Sequence, residues 1–287
     1  METVTLGFKS YDSHELACHF VARQVGLYRR HGLQVRLTDT TYVPDTQLPA
    51  RIFHAACGAA LTAWFDGADA RVVFVAADRP MFWLYAQPGL GGLVDLEGSV
   101  VAGYPAMAPP AVFLRAILRA YSIDPSRVVT LAARDDVARM GLLSDNSVAA
   151  ALISSATAPQ SLAAHGFTEV LFLGDEIRVP TTGLAVDPGT IESAPDLVAA
   201  MCHCHREALT LIHDEPGVLE AALSEFVSSV GAEQAAMAAR VRACYTRDGR
   251  VAATTLDGAI DLVSMALGKT APGAQNSLYD FSLLAAD

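Results

Sequence analysis

The chain has 287 residues, with 31 Asp and Glu against 20 Lys and Arg, a formal net charge of −11. This acidic balance is spread along the sequence without a Lys/Arg cluster, which argues against nucleic acid or an anionic membrane as a partner. With 52% hydrophobic residues the chain can bury a large core without disulfides, yet no apolar run approaches the ~20 residues that span a bilayer.

Strand-like runs fall at 4–8, 33–38, 53–57, 71–76, 82–86, 99–102, 128–132, 148–153, 170–173 and 183–186, with helical stretches between them such as 111–121 and 159–165. That alternation is an α/β pattern. The opening segment is the most explicit. Asp12 followed by Glu15 fits a capping box at a helix start, and Ala17, Phe20, Val21, Val25 and Tyr28 keep an apolar face at helical spacing. Gly32 suits the left-handed residue that ends a helix, after which Leu33, Val35 and Leu37 alternate with polar residues at the period of a strand. The first strand therefore delivers Ser10, Tyr11, Asp12 and His14 to a helix N-terminus, where free N–H groups favour ligands.

The same segment, with Ala22, Gly26, Tyr28, Gly32, Leu33 and Val35 in order, resembles the NMT1/THI5-like and aliphatic-sulfonate (SsuA-like) branch of the type 2 periplasmic binding proteins. Leu93 to Val101, Arg115 to Val128, Ile191 to Val198 and Leu278 to Leu284 are similar to successive passages of that family, so the resemblance covers nearly the whole chain. It implies a two-lobed α/β fold with a double-crossover hinge: residues 1–86 and 185–287 in one lobe, 87–184 in the other. Lobes of this kind close on a ligand by hinge motion. The implied function is that of a solute-binding protein of an ABC-type uptake system, with an ABC permease as partner and no cofactor. The alternative is a cytoplasmic enzyme that reuses the fold, of lyase, dehydratase or desulfinase type.

Strand-to-helix turns supply the ligand-binding candidates. The first turn gives Ser10, Tyr11, Asp12 and His14; later turns give Cys57, Thr62, Asp78 and Arg79; the second lobe gives Tyr104, Met107, Ser154 and Ser155, with Thr182 at the return crossing. Relatives that bind oxyanions place hydroxyls where this chain has Ala106, Met107 and Ala108. Tyr104, Met107, Phe82, Trp83 and Trp64 point instead to a small molecule with an apolar or aromatic body. The residues form no recognisable catalytic set; were the chain an enzyme, Cys57 at a helix N-terminus with His14 nearby would be the candidate thiolate pair. Cys202-His-Cys-His205 is not expected to hold a metal, because on a helix Cys202 and His205 share a side while His203 and Cys204 point elsewhere, whereas zinc needs four converging ligands.

Five cysteines, Cys18, Cys57, Cys202, Cys204 and Cys244, cannot all pair within one chain and favour a reducing compartment. The start lacks a basic segment followed by an apolar signal core. The expected location is periplasmic if a signal peptide was removed and cytoplasmic if Met1 is the native start.

Overall fold

The computed structural model describes residues 1–44, 51–226 and 232–284. The first strand β1 (Glu2–Phe8) leads to α1 (Ser13–Gln24), the short α2 (Leu27–Arg30) and β2 (Leu33–Asp39). Asp12 caps α1 by accepting the Glu15 N–H at 3.0 Å, and Gly32 takes the left-handed φ of 71°. The predicted capping box is half realised: the Glu15 carboxylate accepts from the Lys9 N–H at 2.7 Å. Next come β3 (Ile52–His54), α3 (Cys57–Trp64) and β4 (Arg71–Ala77). The strand expected over 53–57 thus stops at His54, and Cys57 opens a helix.

The chain then passes into a second sheet through β5 (Phe82–Ala86), followed by β6 (Val100–Gly103), α4 (Pro109–Ala120), β7 (Val129–Ala132) and α5 (Asp136–Ser144). It continues through β8 (Ala150–Ser154), α6 (Pro159–Ala164), β9 (Thr168–Phe172) and α7 (Leu173–Glu176). It returns with β10 (Thr182–Val186) and ends in α8 (Pro188–Ser193), α9 (Pro195–Asp214), α10 (Val218–Leu223), α11 (Ala232–Arg242) and α12 (Ala253–Leu267). No helix among the described residues is long and apolar enough to cross a membrane.

The two sheets have five strands each, in the orders β2-β1-β3-β10-β4 and β7-β6-β8-β5-β9. In each, one strand runs against the others: β10 in the first sheet, β5 in the second. These are the two strands that arrive from the opposite sheet. The chain passes between the sheets at residues 78–81, between β4 and β5, and at residues 173–181, between β9 and β10. Hydrogen bonding decides this, because β5 spends both edges on β8 and β9 of the second sheet. Gly183 fits the return: at φ 155°, a Cβ there would sit 2.0 Å from the Phe74 carbonyl oxygen.

This topology sets the carboxyl ends of β1, β3 and β4, together with the start of β10, along one edge of the first sheet. The carboxyl ends of β6, β7, β8 and β9, with the start of β5, form the matching edge of the second. Ligands of open α/β sheets bind at such edges.

Candidate functional site between the two sheets

The two edges meet at the N-terminus of α1. His14 is buried there and donates its backbone N–H to the Ser155 hydroxyl at 2.9 Å, linking the first sheet's opening helix to the exit of β8. Its Nε2 lies 2.7 Å from Thr181 Oγ1, and that hydroxyl donates to the Ala77 carbonyl at 3.1 Å. Thr181 has one proton and spends it on Ala77, so His14 must donate from Nε2, leaving Nδ1 as an acceptor. Burial pushes the His14 pKa down to about 3, and the ring, set edge-on against Phe82, stays neutral at ordinary pH.

Beside it, Asp12 is fully buried, and burial raises its pKa to about 6. Its Oδ2 has no hydrogen-bond partner, and Ser10 contributes a side-chain interaction that opposes the rise. Glu15, one turn into the helix, is pushed up to about 8 by burial and by the Asp12 charge. The Ser13 carbonyl accepts from the buried Tyr245 hydroxyl at 2.7 Å.

The second sheet presents a polar network centred on Asp136 and Arg139, two residues absent from the sequence-level candidates. Arg139 Nη2 meets Asp136 Oδ1 at 2.6 Å, with side chains only 3% and 9% exposed. Asp136 Oδ2 also accepts from the Ser154 hydroxyl at 2.8 Å, the Ser154 N–H at 3.1 Å and the Thr157 hydroxyl at 3.0 Å. Arg139 donates to the Tyr104 hydroxyl at 2.9 Å, its guanidinium stacks 3.9 Å from that ring's centre, and Tyr104 packs edge-on against Phe82. Such a network pins the Ser154–Ser155 turn against α5. In sequence, Arg134-Asp-Asp-Val-Ala-Arg139 resembles a solvated charged turn; the usable signal was the i,i+3 Asp136/Arg139 spacing.

The remaining candidates divide. Thr182 is buried at the start of β10 with its Oγ1 unpartnered, and Asp78 is buried and paired with Arg178 at 3.0 Å, its pKa raised by burial. Arg79 donates through Nη1 to the Gly174 carbonyl at 2.9 Å while its buried Nε has no partner. Tyr11 is 49% exposed and packs against Phe8, Phe20 and Phe226. Met107 is 46% exposed, and the Thr62 hydroxyl is spent within α3 on the Ala59 carbonyl at 3.1 Å.

Cys57 does not have the surroundings of a nucleophile. Its sulfur faces the Phe74 carbonyl at 3.6 Å and its side chain is fully buried. Desolvation drives its pKa upward, overriding the helix N-terminus that was expected to lower it. The His14 ring bonds Thr181 rather than this thiol. On α9, Cys202, Cys204 and His205 are buried, whereas the His203 side chain is 43% exposed.

No protein-family model matches the chain, and no curated protein matches it in sequence. Solved structures do match it in fold. The alkanesulfonate-binding protein SsuA from Xanthomonas axonopodis pv. citri, bound to MOPS, superposes with a TM-score of 0.72 at 14% identity, over 99% of this chain and 96% of that one. A Candida albicans gene product described as having the generic periplasmic binding protein fold gives a TM-score of 0.77 at 11% identity, over 100% and 99% of the two chains. The desulfurization enzyme DSZB gives 0.63 at 12% identity, over 93% and 92%. The chain therefore has the periplasmic-binding-protein fold.

Proposed function

We propose that this chain is a solute-binding protein of the SsuA-like and NMT1/THI5-like kind, holding a small organic molecule between its two sheets and delivering it to an ABC permease. The observation that carries this reading is a set of buried polar atoms without partners along the seam: Asp12 Oδ2, Ser13 Oγ, Arg79 Nε and Thr182 Oγ1. Each such atom costs free energy that a ligand's polar groups would recover. Phe82 and Tyr104, packed edge to face beside His14, supply an apolar wall for the ligand's body. Residues 78–81 and 173–181 would act as the hinge between two lobes.

The test is a thermal-shift screen of small aromatic and aliphatic carboxylic and sulfonic acids, since a ligand of the folded state raises its melting temperature. For any hit, Asp12→Ala should weaken binding roughly 10–100-fold by leaving a polar contact unpaired, whereas Cys202→Ser should not. Mass spectrometry of the recovered hit should show it unchanged. A hit converted to product would instead establish the enzyme alternative, and equal affinity of wild type and the Asp12 variant would remove the seam as the site.

A further inference from the structure

At the opposite end of the first sheet, His31 at the end of α2 and His203 and Glu207 one turn apart on α9 converge on one point. His31 Nε2 lies 2.8 Å and His203 Nε2 3.2 Å from the same oxygen, Glu207 Oε1. The two imidazoles meet edge to face with centres 4.8 Å apart, and the three ligand atoms all lie within 4.8 Å of one another. This is the one such group among the described residues.

We propose that His31, His203 and Glu207 form a binding site for a borderline divalent transition cation, for which Zn²⁺ is the natural probe. Four ligands placed 2.0–2.1 Å from a tetrahedral ion are separated by roughly 3.3 Å. The 2.8 and 3.2 Å separations are already close to that spacing, so small side-chain shifts admit an ion and water completes the shell. Two imidazoles and one carboxylate suit Zn²⁺ over the hard cations Mg²⁺ and Ca²⁺, which prefer oxygen. The side chains are 30%, 43% and 33% exposed, which leaves an entry path from solvent.

The surroundings temper the affinity. Arg206 Nη2 lies 3.4 Å from His203 Nδ1 and Arg30 Nη2 lies 3.8 Å from Glu207 Oε2. A metal on His203 Nε2 requires the ring proton on Nδ1, so Arg206 must move aside, and its exchange for a bound cation favours a reversible site over a permanent structural one. Occupancy would tie the end of α2, where β2 begins, to α9. The seam lies beyond the other end of β1, a strand of seven residues or roughly 20 Å at ~3.3 Å per residue, so an ion here touches no ligand of the cleft.

The experiment is isothermal titration of the untagged chain with Zn²⁺, paired with melting curves. Wild type should bind one ion per chain, and its melting temperature should rise with Zn²⁺ concentration. His31→Ala and Glu207→Gln should each weaken that binding by at least roughly 10–100-fold, and the H31A/H203A double variant should lose the Zn²⁺-dependent rise. All three should melt near the wild-type temperature without metal, because the side chains are partly exposed. Absence of one-to-one binding by wild type, or binding unchanged in the double variant, would overturn the site and leave the cluster a set of hydrogen bonds only.

Discussion

The His14 backbone N–H and the Ser155 hydroxyl, 141 residues apart in sequence, meet at 2.9 Å and join the two sheets. Ser155→Ala deletes the acceptor and leaves a buried donor unsatisfied, a cost of ~1–3 kcal/mol. The variant should lose stability in urea by that amount, or relieve the cost by opening to water and scattering X-rays with a larger radius of gyration. Wild-type values of both quantities would deprive this contact of any part in holding the sheets together.

The Asp136–Arg139 pair should be far more sensitive. Removing one partner of a buried ion pair strands the other charge, typically at ~3–5 kcal/mol. Arg139→Met is therefore expected to lower the unfolding free energy by about that much, with Asp136→Ala worse still because Ser154 and Thr157 lose their acceptor. A loss below about 1 kcal/mol, the scale of exposed pairs, would mean that water reaches the pair.

Stability should peak near neutral pH and fall on the alkaline side. His14, His19 and His205 have pKa values lowered by burial to about 3, so the unfolded chain binds more protons between there and 6.5, and stability rises with pH over that window. Asp12, raised to about 6, and Asp78 oppose this within the acidic range. Above 6.5 only Glu15 among these groups still binds more protons folded than unfolded, up to about 8, so stability should decline there by on the order of 1–2 kcal/mol. Urea midpoints at pH 6.5 and 8 check this; Glu15→Gln should flatten the decline, and an equal slope in that variant would assign it elsewhere.

All five cysteines are buried, and burial raises the Cys57 pKa. Native protein should therefore show no fast-reacting thiol toward a disulfide reagent, and five after unfolding, because the thiolate is the reactive form. A single rapid equivalent mapped to Cys57 would revive the cysteine-enzyme reading.

What the sequence determined is local. The Asp12 cap, the left-handed Gly32 and the strand alternation after it follow from backbone preferences that act within a turn of helix, and all three appear in the structure. The α/β class followed from the same periodicities. Sheet membership did not: Phe82–Ala86 is apolar whichever sheet receives it, and only the edges left open by β8 and β9 assign it. Nor did sequence reveal that Tyr11 is half exposed, that Cys57 is desolvated, or that Asp136 and Arg139 anchor the Ser154 turn. Those outcomes depend on burial and on which charge lies within about 3 Å of another, and a chain's sequence carries no distance between residues that only folding brings together.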